Sequence, residues 1–162
     1  MDASVFREVC PGEQKVLSYS NGISMQYLQI FSIMMGLLGL FGKKDLSYKA
    51  FEKWVDASLS ADLPEGIEAF CFNLYDDGKG QWSAEIIGAA SFDPENSDWA
   101  CDEIFDNREQ PLKWSSRQSW EKILAQMESH LKKYLKKGKY ATLLRSKQGL
   151  GLGFVDGNLI LL

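Results

Sequence analysis

Few side chains in this sequence are of a type and spacing that could do chemistry. His130 is the one histidine, three residues from Met127 and four from Tyr134. A general base or a metal ligand needs partners, so a single imidazole at the edge of an apolar helical stripe reads as a half-buried helix residue. Cys10, Cys71 and Cys101 are separated by 61 and 30 residues, which leaves no CxxC pair for a zinc or redox site. No Ser or Cys stands in a nucleophile-elbow context. Gly149, Gly151 and Gly153 alternate without a following helix and so fail the phosphate-loop and dinucleotide contexts. Alternating glycine in a strand instead admits a close backbone or a large aromatic ring. The stretch 93–98 has the look of a calcium loop, but it lacks glycine at the sixth position and carries Ile104 at the twelfth. Neither a cofactor nor a metal is therefore expected.

The elements that must position these residues follow from periodicity. Short helices are expected over 2–9 and within the uncharged segment that ends near Gly42. A third helix is expected from Asp45 as N-cap to about Leu59, with Tyr48, Phe51, Val55 and Leu59 on its buried face. Strands over 67–75 and 82–92 flank the turn cluster 76–80 as a hairpin, and Gly88 hints at a bulge or a close contact. A further strand is expected over 98–105. The clearest element is a helix over 116–137, with Ser115 and Gln118 as a capping box and Gly138 at its C-terminal end. Asp156-Gly157 between two apolar runs predicts a tight closing hairpin. These elements describe an α+β fold, a mainly antiparallel sheet of four to five strands with a long amphipathic helix packed on it and a helical N-terminal part. Residues 1–162 read as one domain, with 1–44 as a helical appendage.

Composition agrees with a globular chain: 162 residues, 45% hydrophobic, 12% aromatic, 25% charged. Disordered, collagen-like and disulfide-scaffold classes are excluded. No charged residue occurs between Val16 and Gly42. Within it, residues 23–41 approach a membrane span in length but are interrupted by Ser24, Gln26, Gln29, Ser32, Gly36 and Gly39. A core helix or a partner-facing patch is expected there, with homo-oligomerisation through it or membrane contact as the further readings. The lack of a secretory signal and the cysteine usage point to the cytoplasm.

The net charge of −4 is a cancellation. Residues 1–55 carry 6 basic and 5 acidic side chains, residues 56–109 carry 2 and 14, and residues 110–162 carry 10 and 3. Either the basic helix folds onto the acidic strands and the blocks neutralise each other, or an acidic face is left for a partner. The acidic face would comprise Asp93, Glu95, Asp98, Asp102, Glu103 and Asp106, with Trp99 and Phe105 as apolar anchors, because aromatic anchors rimmed by charge suit a protein-binding hot spot.

The run 82–88, continuing through Phe92-Asp93 to Asp98-Trp99-Ala100-Cys101-Asp102-Glu103, resembles a group of small bacterial proteins of the kind seen as immunity proteins in polymorphic toxin systems. The resemblance covers residues 70–162. It implies a non-catalytic protein-binding module that inhibits a toxin by occupying it; the acidic aromatic stretch suits a basic toxin domain as partner, and the net charge of −4 gives no reason to expect nucleic acid. Two alternatives are a small enzyme working through carboxylates such as Asp98, Asp102 and Asp106, and a nucleic-acid binder using Lys132, Lys133, Lys136, Lys137 and Lys139.

Overall fold

The computed structural model describes residues 45–162. The expected helices within 1–44, Cys10 and the uncharged segment lie outside them.

The described chain runs α1 (Tyr48–Ser58), β1 (Ala69–Gly78), β2 (Gln81–Ala89), a 3₁₀ turn (Ser97–Cys101), β3 (Glu103–Asp106), β4 (Leu112–Ser115), α2 (Trp120–Lys137), α3 (Ala141–Arg145), β5 (Gly149–Phe154) and β6 (Ile160–Leu161). The class is α+β. The expected mainly antiparallel sheet of four to five strands is corrected to a mixed one of six, ordered β3-β2-β1-β5-β6, with β4 also paired to β2. At its centre β5 runs parallel to β1, from Ala69 opposite Gly149 to Leu74 opposite Phe154. A parallel neighbour needs a crossover; α2 and α3 provide it, carrying the chain from the β4 edge to the far side of β1. Periodicity reports which face a residue takes and nothing about its neighbouring strand, so this pairing was hidden.

Both faces of the sheet follow from side-chain alternation. Phe70, Phe72, Leu74, Ala84, Ile86, Leu150 and Leu152 join Phe51 and Val55 of α1 and Ile123, Met127, Leu131 and Tyr134 of α2 in the main core. The opposite face carries a smaller cluster of Ala69, Cys71, Ile87, Ala89, Trp99 and Ala100, with Phe92 and Leu159 against it. Here the alternating glycines find their use. A Cβ on Gly149 would collide with the Phe92 ring, one on Gly151 would meet Cys71 Sγ and Leu159 at 3.0 Å, and one on Gly153 would lie 2.8 Å from the Asn158 carbonyl. Gly149 thus admits the Phe92 ring, and Gly151 and Gly153 let the return chain at 158–159 lie close against β5.

Local signals resolve differently from the expectation in several places. Ser47, not Asp45, caps α1, its Oγ accepting from Ala50 N at 3.2 Å. Asp45 instead accepts a hydrogen bond from the Ser116 hydroxyl at 2.6 Å, which ties the entry of α1 to the entry of α2. Ser116 is thereby used, the Ser115–Gln118 box does not form, and α2 begins at Trp120 behind Ser119. Gly138 ends α2 in extended conformation; a Cβ there would stand 2.5 Å from the Tyr134 ring. The β1–β2 strands reach into the turn cluster and close at Lys79-Gly80, both with positive φ (54° and 71°), as a two-residue turn between right-twisted strands requires. The β5–β6 hairpin is wide rather than tight, with Leu152 opposite Ile160. Strand β4 is an element beyond those the periodicity predicts. It continues along β2 where β3 stops, and Asn107 bridges the gap: its Oδ1 accepts from Ile86 N at 2.7 Å while its Nδ2 donates to Ser58 Oγ at 2.6 Å.

Candidate functional site

The acidic stretch is not the single strand expected over 98–105. A side chain-capped loop leads into the 3₁₀ turn, and β3 starts only at Glu103. Asp93 Oδ1 accepts from Glu95 N at 2.8 Å, and Asn96 Oδ1 accepts from Asp98 N at 3.2 Å. Such side chain–backbone bonds hold a loop without a ladder. The segment closes where Ala90 N donates to Asp102 O at 2.8 Å. Asp98, Asp102 and Asp106 therefore do not share one strand face.

The eight proposed residues divide into three groups. Asp93, Glu95, Asp98 and Asp102 are exposed. Trp99 is only 4% exposed and stands edge-on to Phe92 at 5.2 Å, while Phe105 is half-buried and packs against the main core opposite Gly88. The two aromatics thus fasten the segment to the sheet rather than present themselves to a partner. Glu103 and Asp106 are engaged by Arg108, whose Nη2 meets Glu103 Oε2 and whose Nη1 lies 3.4 Å from Asp106 Oδ2.

Arg108 leads to a constellation that sequence reasoning missed. Its Nε lies 3.2 Å from Oε2 of Glu85, a buried carboxylate on β2. Glu85 Oε1 accepts from the Tyr75 hydroxyl and, at 3.2 Å, from Asn73 Nδ2; Asn73 Oδ1 in turn accepts from Cys71 Sγ at 3.2 Å. Asn73 sits directly opposite Glu85 in the antiparallel register, so the cross-strand pair is set by the hairpin. A buried charge is tolerable only when paired and hydrogen-bonded, and each oxygen of Glu85 has a partner. Burial, then the hydrogen bond to Glu85, holds the Tyr75 hydroxyl well above its ordinary value, and burial does the same to the Cys71 thiol. Burial opposes the charge on Arg108, yet the Glu103 hydrogen bond and the surrounding carboxylates raise its pKa overall. These are protonation states of a locked network, with Tyr75 neutral, Cys71 a thiol and Arg108 charged. The available signal was Glu85 itself, one carboxylate inside the apolar run 82–87.

The basic helix does not fold onto the acidic loop. The ion pairs of the acidic strands end on Arg108, and Lys132 pairs with Glu128 of its own helix at 2.6 Å. Neither set reaches Asp93, Glu95, Asp98 or Asp102. Lys133 Nζ sits 4.0 Å above the Tyr48 ring and Lys139 Nζ 4.9 Å above Tyr140; such cation–π contacts hold the ammonium groups against the protein. The Tyr48 hydroxyl is pushed up to about 12 by burial and by its 2.9 Å bond to Glu52. His130 Nε2 and Gln126 Nε2 lie 3.0 and 3.2 Å from the Leu46 carbonyl, so the lone histidine anchors the strand of chain entering α1. No helix of the described residues is long and apolar enough to cross a membrane.

Comparison with protein-family models, with curated proteins and with solved structures finds no significant match to this chain.

Proposed function

We propose that this chain is a non-catalytic protein-binding module, of the immunity-like kind that its resemblance implies, and that the acidic loop 93–102 meets a basic surface on its partner. The observation that carries the reading is the joint exposure of Asp93, Glu95, Asp98 and Asp102 on a segment fixed to the sheet by Trp99 and Phe92. Four exposed carboxylates within ten residues make a field of one sign, which accelerates encounter with an oppositely charged surface. A fixed loop also loses little conformational freedom on binding. The carboxylate-enzyme alternative finds less support, because the one buried carboxylate among the described residues, Glu85, is saturated by Tyr75, Asn73 and Arg108. The nucleic-acid alternative is weakened by the engagement of Lys132, Lys133 and Lys139 with Glu128, Tyr48 and Tyr140.

The test is association with the product of an adjacent toxin-like gene, measured by surface plasmon resonance. Asp98→Lys with Asp102→Lys should slow association by about tenfold or more while dissociation changes less. An unchanged on-rate for that pair would remove the acidic loop from the interface.

A further inference from the structure

The binding reading has an unmet need. Protein interfaces draw most of their energy from a few aromatic or aliphatic anchors, and the two aromatics of the acidic segment face inward. At the opposite, turn end of the β1–β2 hairpin the arrangement is reversed. Trp120, the first residue of α2, is 55% exposed, the most exposed of the large apolar side chains among the described residues. It forms one wall of a groove of about 530 Å³ whose other apolar walls are Leu124, Phe154 and Ile160. Asp76 and Asp156, both exposed, stand on its rim.

The groove is anchored to the core by a ladder of rings. Phe154 stands edge-on to buried Trp82 at 5.9 Å and to Trp120 at 6.4 Å, and Trp82 Nε1 donates to Ser116 O at 3.2 Å. Edge-to-face rings of this kind fix one another's orientation. The exposed indole is therefore held in place rather than free to collapse, and an occupant would meet a preformed wall. An apolar cleft with two carboxylates at its rim is complementary to an apolar segment bearing cations, and repels an anionic one.

We propose that this groove docks a short amphipathic segment of a protein partner, apolar residues seated on Trp120, Leu124, Phe154 and Ile160 and a Lys or Arg against Asp76 or Asp156. It rests on the protein-binding reading and supplies the anchor which the acidic loop lacks.

The test uses the full chain and three synthetic peptides of about ten residues, the scale of a peptide-in-groove contact: alternating Leu and Lys, alternating Leu and Glu, and alternating Ser and Lys. Fluorescence anisotropy of labelled peptide should show the Leu/Lys peptide binding at least tenfold more tightly than the other two. Trp emission should shift to shorter wavelength as Trp120 is covered. Trp120→Ala should weaken that affinity about tenfold or more. Asp76→Lys with Asp156→Lys should do so too and bring the Leu/Glu peptide closer to it. All these positions are exposed, and circular dichroism of each variant verifies its fold. Equal binding of the Leu/Lys and Ser/Lys peptides, an affinity untouched by Trp120→Ala, or no binding of the Leu/Lys peptide overturns the proposal. So does sedimentation showing a dimer that Trp120→Ala dissolves, since the occupant would then be a second copy. Asp98→Lys with Asp102→Lys should leave peptide affinity within about twofold. A partner whose on-rate responds to those loop reversals but whose affinity ignores Trp120→Ala defeats the groove alone, and peptide binding without any loop-dependent partner defeats the acidic-loop reading alone.

Discussion

At the open end of the β1–β2 hairpin, Trp99 lies 4% exposed within the acidic loop 93–102; at the turn end, Trp120 lies 55% exposed in a groove shared with Asp76 and Asp156. Both ends combine aromatic rings with carboxylates, yet they distribute them in opposite ways. At the first, the ring is structural and the charge faces outward. At the second, the ring is the surface and the charge is a rim. Residue type alone does not say which, because the difference comes from the 3₁₀ turn that lays Trp99 on the small cluster and from the position of Trp120 at the solvent-facing start of α2. In the function proposed above, the first end steers a partner and the second grips it.

The substitution that separates the ends most sharply is tryptophan to alanine at each. Trp99→Ala should cost about 3–5 kcal/mol in urea unfolding, as removal of a buried aromatic does, whereas Trp120→Ala should cost under about 1 kcal/mol. Equal losses would dissolve the contrast. Next in size is Glu85→Ala, which strips Tyr75, Asn73 and Arg108 of a shared acceptor. About 2–3 kcal/mol is expected, less than for a fully buried pair because Arg108 is half exposed; Glu85→Gln, which keeps an acceptor for Tyr75 and Asn73, should lose less. Gly149→Ala drives a methyl into the Phe92 ring on which Trp99 rests and should cost about 1–3 kcal/mol by the same measurement.

The alkaline limb of stability carries the network's signature. Folding raises the proton affinity of Tyr75, through burial and Glu85, of Tyr134, through burial and its 2.5 Å bond to Asp56, and of Cys71, through burial. A raised folded-state value means that the unfolded chain loses its proton first. The resulting stabilisation is complete below the ordinary values of 9.0 for the thiol and 10.0 for the phenols, and it drains away as pH climbs past them. Thermal melts across that window should show a falling midpoint, shallower in Tyr75→Phe. The smallest effect belongs to the acidic loop: Asp98→Lys with Asp102→Lys should change stability by no more than about 0.5 kcal/mol, since neither carboxylate is among those paired with Arg108.

The sequence made the charge order fully legible, and with it the run of acids that carries the proposed binding surface, though not the loop conformation of that run. The spacing of Phe51 and Val55 and the stripe from Ile123 to Tyr134 likewise marked the buried helical faces. Sidedness was not legible at Trp99, because an interleaving of acids and aromatics fits an alternating strand as well as a capped 3₁₀ turn, and only the Asn96 cap and the small cluster decide between them. The parallel β1–β5 pairing escaped for a different reason: Leu150 and Leu152 announce a buried face without naming a neighbour. Glu85 was visible as an oddity within 82–87, but its role depends on Arg108, 23 positions away in the chain and brought back by the bend after β3. Trp120 stands at helical spacing from Ile123 and Leu124, so spacing alone puts it on the buried stripe; its exposure follows from α2 starting there rather than at Ser116.

The steering role proposed for loop 93–102 is tested most directly by the ionic-strength dependence of the association rate with the product of an adjacent toxin-like gene. Between about 0.01 M and 0.15 M salt the screening length falls from about 30 Å to 8 Å. The on-rate should drop about tenfold or more over this range in the wild type and stay nearly flat in Asp98→Lys with Asp102→Lys. Equal salt slopes for the two proteins would contradict it.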